Sequence, residues 1–408
     1  MELSMQIKKT SLNTFLFILF FFLISRGGIY ITTYFGYNLF SHYDTPPQFF
    51  SEHGGSKMVL PIFIKDSYKP VLNDYIKFDS PFYLRIAERG YDQYRMDEEH
   101  PPADWPFFPL YPLLMRGIHK VFNLNLPLVG FLLSNIFFFG ALYVIFLITE
   151  EVTGEKKVAE KTIMYLLLFP TSIFFSLVYT ESFFLFLSSL VFLFLFRKQY
   201  HWSFLCAALC AITRVPGIVL IGIVFFVLLK ESNFRPIKIP FRYWASAFLS
   251  LLPLLSFLFF MYRLTGDFLA PLHENALNWQ RTLSYPWQAY VNFFKTKHFI
   301  ALGGWDLTPV SFFFANFFLF MVVHCFFSLK KRPELILYGI LLTLISLCSM
   351  NTSFTSFLRY QSVVFPLFLG MGILGTKHSW VDFLIILFFS IFQIIYSIGF
   401  INNYFFVV

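Results

Sequence analysis

The stretch Phe15-Leu16-Phe17-Ile18-Leu19-Phe20-Phe21-Phe22-Leu23-Ile24 is an unbroken apolar run. It belongs to a mostly apolar segment, residues 12–35, and a helix needs about 20 such residues to cross a bilayer. The flanking sequence has no small-residue cleavage signature, so we expect an uncleaved first span rather than a signal peptide. This run therefore predicts a membrane-spanning helix.

Apolar segments of similar character recur along the whole chain. Hydrophobic residues make up 57% of the 408 residues and charged residues only 13%, whereas soluble domains have about 25% charged residues. This composition excludes a soluble enzyme, a disordered tail protein and a secreted disulfide-rich scaffold. It predicts an all-α polytopic membrane protein, with a single transmembrane domain over residues 1–408 and about 11 transmembrane helices. The predicted spans are residues 12–35, 125–149, 162–178, 182–196, 202–213, 216–229, 243–262, 308–329, 335–350, 358–375 and 381–400.

The distribution of lysine and arginine indicates how these spans are oriented. If residues 107–122 lie in the interface and residues 202–229 form a hairpin, the short basic connectors all fall on the cytoplasmic side. We therefore expect an inside N-terminus, an outside C-terminus and a net charge of +8 that reflects topology rather than nucleic-acid binding. Two alternatives stay open, because residues 107–122 could cross fully and residues 202–229 could be one helix kinked at Pro216. The basic residues in question are Lys156, Lys157, Lys161, Arg197, Lys198, Lys230, Arg235, Lys238, Arg242, Lys330, Lys331, Arg332 and Lys377, with Lys8 and Lys9 before the first span.

The polar segments that are not basic connectors all fall on the opposite side in this topology. Ionisable groups at the ends of spans are costly unless they serve one another, a water-filled cavity or a ligand. Their common location predicts a single functional site at the non-cytoplasmic face, although long outer loops can carry polar residues for other reasons. The segments are the first outer loop 36–106, residues 179–182 and 213–217, the second large outer loop 263–306, and residues 351–361.

The first outer loop contains the densest group of residues that could carry chemistry. Ser80-Pro81 is typical of a helix start and Gly90 of a helix end, so residues 80–90 predict a short amphipathic helix at the interface. Asp79 directly precedes this helix. Its carboxylate could cap the helix, or it could act as a general base at the membrane surface beside aromatic residues.

Residues 98–112 combine prolines with aromatic side chains and predict a stiff, non-helical wall at the headgroup level, or an ordinary aromatic belt. The acidic residues and His100 in this segment match no specific metal-ligand spacing, so we assign no metal site to them. The four cysteines lie within apolar runs, where small residues typically serve helix packing. We therefore assign neither a disulfide nor a metal to the cysteines.

Four further charged residues lie at predicted boundaries between spans and loops. Arg214 and Arg359 could extend towards the interface, or each could hold a lipid phosphate through its guanidinium group. Glu181 and Asp267 are lone carboxylates that could instead cap helices. The residues alone leave these roles open.

Several of these pieces together resemble a known family, the PIG-V-like mannosyltransferases. Residues 78–91, Phe-Asp-Ser-Pro-Phe-Tyr-Leu-Arg-Ile-Ala-Glu-Arg-Gly-Tyr, and residues 107–114, Phe-Phe-Pro-Leu-Tyr-Pro-Leu-Leu, are similar to the first-loop signature of that family. The family usually has tryptophan where this chain has Phe78, so an aromatic ring is kept and an indole N–H is lost. Further similar pieces follow in order within about residues 75–370: Tyr179-Thr180-Glu181-Ser182, Thr213-Arg214-Val215-Pro216-Gly217, Tyr262-Arg263-Leu264-Thr265-Gly266-Asp267 with Trp279 downstream, and Ser356-Phe357-Leu358-Arg359-Tyr360.

The resemblance implies a GT-C glycosyltransferase fold and an inverting transfer of mannose at the non-cytoplasmic face. The implied donor is mannose on a polyprenyl or dolichyl phosphate, and the implied acceptor is a lipid-linked molecule or a glycan. Eukaryotic members of the family add the second mannose to the glycosylphosphatidylinositol precursor. Asp79 is implied as the catalytic base, with Arg214 or Arg359 stabilising the departing phosphate. The residues implied in substrate or donor binding are Phe78, Tyr83, Glu88, Tyr91, Phe107, Phe108, Tyr111, Glu181, Arg214, Asp267, Arg359 and Tyr360.

The resemblance also leaves alternatives. Another sugar on a polyprenyl phosphate could be the donor, and a transporter or flippase of lipid-linked sugars is the alternative from a different class. We expect membrane lipids as partners, no nucleic acid, no cofactor, and no catalytic metal, since the leaving phosphate of such a donor carries one charge. An accessory membrane subunit, as in eukaryotic relatives, stays an open question. The composition favours a bacterial plasma membrane over the endoplasmic reticulum.

Overall fold

The computed structural model describes residues 12–43, 58–59, 67–278, 281–295, 308–348, 354 and 356–404. Lys8, Lys9 and Trp279 lie outside the described residues, as do parts of both large outer loops. Two short strands, β1 His42–Tyr43 and β2 Met58–Val59, pair antiparallel. The described helices are α1 Leu12–Leu39, α2 Ser80–Arg89, α3 Leu110–Phe122, α4 Leu126–Thr153, α5 Lys156–Leu168, α6 Glu181–Phe196, α7 Tyr200–Ala211, α8 Ile218–Glu231, α9 Phe241–Thr265, α10 Ala270–Asn278, α11 Gln288–Lys295, α12 Thr308–Ser328, α13 Pro333–Cys348, α14 Phe357–Gln361, α15 Phe365–Lys377 and α16 Ser379–Ile401.

Each of the predicted membrane spans contains a helix. Five of the described helices, α1, α4, α9, α12 and α16, are long and apolar enough to cross a membrane. Six shorter helices, α5, α6, α7, α8, α13 and α15, lie in the other predicted spans. The prediction of an all-α, multi-pass integral membrane protein is confirmed.

Two of the predicted spans are not continuous helices. α5 ends at Leu168, because Pro170 lacks a backbone N–H and its ring clashes with the preceding turn, and a 3-10 turn, Ser172–Phe175, follows. The span predicted over residues 358–375 is divided into α14 and α15, with Pro366 in the first turn of α15. Both breaks place irregular backbone within the bundle, where it is tolerated only if protein or a polar cavity surrounds it.

Residues 202–229 form two helices, as the hairpin interpretation expects, rather than one kinked helix. α7 ends at Ala211, and the 3-10 turn Val215–Gly217 leads directly into α8. A Cβ at Gly217 would lie 2.2 Å from the backbone carbonyl of Cys210. The tight reversal of the chain therefore requires glycine at this position.

The first outer loop contains two amphipathic helices, α2 and α3. α2 begins at Ser80 and is followed by Gly90 at a positive φ of 94°, in agreement with the predicted start and end. α3 has 13 residues and is about 20 Å long, shorter than the roughly 30 Å hydrocarbon core, which fits an interfacial position. Arg116 on α3 donates to the carbonyls of Ile86 and Ala87 at 2.9 and 2.6 Å, so α3 is fixed to the end of α2.

The two ends of the helix bundle carry different groups. At one end, the N–H of Tyr43 donates to the carbonyl of Asn402 at 3.1 Å, which joins the chain after α1 to the end of α16. At the same end, the ammonium group of Lys77, just before α2, donates to the carbonyl of Ile401 at 2.6 Å. At the opposite end, lysines of the basic connectors form ion pairs with carboxylates of α13 and α16. We call these the loop end and the basic end.

Candidate active site

Asp79 lies at the loop end immediately before α2, but its carboxylate does not cap that helix. Its Oδ2 instead accepts a hydrogen bond from Nη2 of Arg359 at 2.5 Å, while Oδ1 has no partner among the described residues. Its backbone N–H donates to the hydroxyl of Tyr179 at 3.1 Å, and this hydroxyl donates to the carbonyl of Lys77 at 3.0 Å. The aspartate is thus held in place while one carboxylate oxygen stays available.

Glu181 connects Arg359 to a second arginine. Its Oε1 lies 3.1 Å from Nε of Arg359 and 2.7 Å from Nη1 of Arg214. Asp79, Arg359, Glu181 and Arg214 therefore form a row of alternating charges, which we call the charge chain. Their side chains are 13%, 8%, 1% and 14% exposed, so each charge is largely removed from water and depends on its partners.

Interruptions between helices position the members of the charge chain. Glu181 is the first residue of α6, directly after the irregular segment that follows Pro170. Arg214 lies in the reversal between α7 and α8, and Arg359 lies in the five-residue helix α14. These interruptions and the start of α2, which carries Asp79, therefore bring four distant parts of the sequence together at the loop end.

Arg26, near the middle of α1, supports the irregular segment between α5 and α6. Its guanidinium group donates to the carbonyl of Ser172 at 2.9 Å, and to the hydroxyls of Ser172 and Ser176 at 2.7 and 3.0 Å. It also lies over the ring of Phe138, 5.0 Å from the centroid. Because a broken helix leaves backbone groups without partners, these hydrogen bonds stabilise the segment that leads to Glu181.

Three arginines surround the ring of Tyr360. The guanidinium carbons of Arg281, Arg214 and Arg359 lie 5.2, 5.6 and 5.6 Å from the ring centroid. Arg281 comes from the segment between α10 and α11, and it donates to the hydroxyl of Tyr360 and, at 2.8 Å, to that of Ser356. Arg281 is not among the residues that the sequence predicts for the site. The available signal was its place in the second large outer loop, which was predicted to face the site.

Aromatic residues pack beside α2 and hold it against the bundle. The ring of Phe82 stacks on that of Phe107 with centroids 4.6 Å apart, and Tyr83 contacts Phe107 edge-on at 5.1 Å. The ring of Tyr111 is fully buried, 5.8 Å from that of Tyr83. The hydroxyl of Tyr83 lies 3.2 Å from Oγ1 of Thr180, and burial raises the pKa of Tyr83, so this hydroxyl stays neutral.

Three other predicted binding residues pack against α9 and α16. Tyr91 and Phe108 both lie against Phe257, with ring centroids 5.9 and 5.0 Å apart. The ring of Phe78 lies 5.6 Å from that of Phe400, on α16. None of these contacts is with a residue of the charge chain, so the three rings lie outside it.

Glu88 and Asp267 are not part of the charge chain either. Glu88 is exposed on α2. Asp267 follows the end of α9, where its Oδ1 accepts from the N–H of Leu269 at 2.9 Å and its Oδ2 lies 2.5 Å from Nδ1 of His273. Asp267 thus binds the backbone at the start of α10, which resembles the capping role that the sequence left open.

A second cluster of charged residues, Arg85, Asp92 and Asp104, stabilises the segment between α2 and α3. The N–H of Asp92 donates to Oδ1 of Asp104 at 2.9 Å, and Arg85 lies 3.3 and 3.4 Å from the two carboxylates. Burial raises the pKa of the fully buried Asp104 to about 7. In the sequence, Asp104 is one of several acidic residues in the segment 98–112, and nothing there predicts this pairing, because Asp92 and Asp104 meet only in the folded loop.

The chemistry that the site offers is that of arginines and carboxylates. In the described part of the chain, no group of three or more His, Cys, Asp or Glu side chains lies close enough together to hold a metal ion. Arginines at the loop end suit an anionic ligand, and a carboxylate with one free oxygen suits proton transfer.

The chain is similar to known proteins in sequence and in structure. A family model described as Mannosyltransferase (PIG-V) matches residues 16–407, and no curated protein matches the chain. The structure of ArnT from Cupriavidus metallidurans bound to undecaprenyl phosphate is 12% identical, over 87% of this chain and 59% of that chain, with a TM-score of 0.45. The apo oligosaccharyltransferase of Archaeoglobus fulgidus is 13% identical, over 95% of this chain and 56% of that chain, with a TM-score of 0.48. The chain thus spans less than two thirds of the length of either solved protein.

Proposed function

The chain belongs to the PIG-V mannosyltransferase family, and on this basis we propose that it is an inverting glycosyltransferase. It moves mannose from a polyprenyl- or dolichyl-phosphate donor to a hydroxyl of a lipid-linked or glycan acceptor. One observation carries the proposal. Asp79 is held by Arg359 and Tyr179 at the loop end of the bundle, and its Oδ1 has no partner among the described residues.

Asp79 is the general base of the proposed reaction. Its Oδ1 accepts the proton of the acceptor hydroxyl while the oxygen of that hydroxyl attacks the anomeric carbon of the mannose. The bond from the anomeric carbon to the phosphate oxygen breaks, the lipid phosphate keeps the electron pair, and the configuration inverts through an oxocarbenium-like transition state. Because Arg359 holds Oδ2, the free oxygen has a defined direction towards the acceptor.

Negative charge grows on the departing phosphate, and nearby arginines stabilise it. Preorganised donors contribute most where water is excluded, and the side chains of Arg214 and Arg359 are only 14% and 8% exposed. Glu181 contacts both guanidinium groups, so they are oriented before the substrate arrives. The site therefore needs little rearrangement during the reaction.

The reaction takes place at the non-cytoplasmic face, in the bacterial plasma membrane. The charge chain lies at the loop end, and the positive-inside rule assigns the opposite, basic end to the cytoplasm. A transporter would need its ionisable groups near the middle of the bilayer. The charge chain instead begins at Asp79, two residues after Lys77, which binds the end of α16 at the loop end. An enzyme that acts at the membrane surface accounts for this placement better than a transporter does.

The experiment that tests this function is a transfer assay on membranes containing the protein. Radiolabelled polyprenyl-phosphate mannose is the donor, and membranes without the protein are the control. We expect label to move from the donor to a product that the control membranes do not form. A parallel assay with polyprenyl-phosphate glucose tests the sugar. Transfer from the glucose donor alone would refute mannose, and transfer from neither donor by a folded protein would contradict the proposed donor class.

A further inference from the structure

We propose that Arg281 binds the phosphate group of the lipid-linked donor. This inference rests on the proposed function and names the residue that recognises the charged part of the substrate. It follows from the charges, contacts and burial of the residues around Tyr360.

The charges around Tyr360 leave one positive charge without a counter-charge. The charge chain contains two arginines and two carboxylates, which balance one another. Arg281 adds a third guanidinium group at the same ring, 5.2 Å from its centroid. Its side-chain hydrogen-bond partners among the described residues are two neutral hydroxyls, those of Tyr360 and Ser356. The described site therefore carries a net charge that an anionic ligand would neutralise.

One uncompensated positive charge suits the proposed donor. A sugar attached to a polyprenyl phosphate is a phosphodiester and carries one negative charge. Guanidinium groups bind phosphate oxygens through pairs of N–H···O hydrogen bonds, with a planar geometry that lysine lacks. Binding of the donor at Arg281 would balance the charge around Tyr360 without breaking any pair in the charge chain.

A buried hydrogen-bond donor at the same ring supports an oxygen ligand there. Arg359 is 7% exposed, and its Nη1 has no hydrogen-bond partner among the described residues. A buried N–H without an acceptor is costly, and such groups usually bind protein, water or a ligand. A phosphate oxygen is a suitable acceptor, and the guanidinium groups of Arg359 and Arg281 lie within 5.6 Å of the same ring centroid.

Arg281 is also the arginine that can change partners most easily. Its backbone N–H donates to the carbonyl of Asn275 at 3.0 Å, which fixes its position after α10. Its side chain is partly exposed and forms hydrogen bonds with hydroxyls only. Replacing a neutral hydroxyl costs less than replacing a buried carboxylate, and the partner shared by Arg214 and Arg359 is the buried carboxylate of Glu181. Arg281 can therefore bind and release the phosphate while the charge chain stays intact.

The test measures how tightly the purified full-length protein in detergent binds polyprenyl phosphate, the leaving group of the proposed reaction. Polyprenol, which has the same tail and no phosphate, reports binding of the tail alone. We expect Arg281→Gln to weaken binding of polyprenyl phosphate about 10- to 100-fold and to leave polyprenol binding unchanged. Arg281→Lys keeps the charge without the planar group, so an intermediate loss is expected. Arg235→Gln, which changes an exposed arginine between α8 and α9, is the matched control and should bind like the wild type.

Equal affinity of the wild type and Arg281→Gln for polyprenyl phosphate would overturn the assignment. Equal competition by phosphatidylglycerol micelles or by inorganic phosphate would also overturn it, because the residue would then bind any headgroup or any anion. If Arg281→Gln does not fold, as judged by gel filtration, Arg281→Lys becomes the test. We then expect it to bind polyprenyl phosphate at least about threefold more weakly than the wild type. Unchanged binding by Arg281→Lys would overturn the assignment.

The mannose transfer assay separates this inference from the proposed function. Transfer by the wild type, with an unchanged KM for the donor in Arg281→Gln, would refute the role of Arg281 and leave the proposed function intact. Loss of phosphate binding in Arg281→Gln, combined with no mannose transfer by the wild type, would refute the proposed sugar and leave the role of Arg281 intact.

Discussion

Nη2 of Arg359 lies 2.5 Å from Oδ2 of Asp79, although 280 residues separate the two in the sequence. The ion pair joins the start of α2 to the short helix α14, and the two side chains are only 8% and 13% exposed. Arg359 thereby neutralises the charge of the aspartate and occupies one of its oxygens. The other oxygen, Oδ1, is the atom through which we propose that Asp79 acts as the base.

We expect Asp79→Asn to reduce mannose transfer by about 10²–10⁴-fold, the usual contribution of a general base. The amide has nearly the same size as the carboxylate, and Arg359 keeps its contact with Glu181, so the variant should still fold. The measurement is the initial rate of transfer from polyprenyl-phosphate mannose. Asp97→Asn, which changes an 83% exposed carboxylate in the same loop, is the control. Wild-type rates in Asp79→Asn would remove this residue from the chemistry.

We expect Glu181→Gln to destabilise the protein by about 3–5 kcal/mol, because two buried arginines lose a shared carboxylate. The double variant Glu181→Gln/Arg214→Gln should be less destabilised than the sum of the single variants, since it also removes the charge of Arg214, which the first change leaves without its carboxylate partner, whereas Arg359 keeps Asp79. Thermal unfolding in detergent measures the stability of Glu181→Gln, Arg214→Gln and the double variant. Glu99→Gln, a change at an exposed residue, is the control. Strictly additive effects would show that the pair is not coupled.

We expect Gly217→Ala to abolish transfer and lower the unfolding temperature, because its Cβ would lie 2.2 Å from the backbone of Cys210. The clash would move the reversal that carries Arg214. Gly222→Ala, one turn later on α8, is the matched control, since a Cβ there meets no atom within 4 Å. The control should be unchanged or slightly more stable, because alanine favours helix. An equal response of both variants would contradict the tight reversal.

The pH dependence of stability should contain a contribution from Asp104. Burial raises its pKa to about 7, whereas an aspartate in an unfolded chain titrates near pH 4. The folded protein therefore holds this proton more tightly, so the contribution is fully present below about pH 4 and is lost as the pH rises through 7. Unfolding temperatures of the wild type and Asp104→Asn from pH 4 to 8 test this. The wild type should lose more stability than the variant over that range, and parallel curves would contradict the shifted pKa.

The sequence predicts the helices well because their signals are local. Apolar runs of sufficient length identify the spans, and Ser80 and Gly90 mark the ends of α2. The break after α5 was missed, although Pro170 was visible, because the apolar run continues past it and hides the irregular backbone. Composition reports how apolar a segment is, whereas continuity of a helix depends on single residues within it.

The site could be predicted only in part. Topology placed the segments with Asp79, Glu181, Arg214 and Arg359 at one face, and the structure brings these four side chains into contact. The pairings themselves could not be predicted, because contacts between residues far apart in the sequence leave no local pattern. Arg281 was missed for the same reason, since nothing next to it in the sequence marks it as a neighbour of Tyr360.

The contact of Lys77 with Ile401 has a consequence for biosynthesis. Lys77 stands two residues before Asp79, and its ammonium group binds the carbonyl of the last residue of α16. The ribosome makes Asp79 before Arg359 and α16, which follow roughly 300 residues later, after about 15 seconds to a minute of further translation. A growing chain thus holds the proposed base without Arg359, which binds it, and without α16, which binds Lys77 beside it. We therefore expect activity only after insertion of α16, and no activity in fragments from interrupted synthesis.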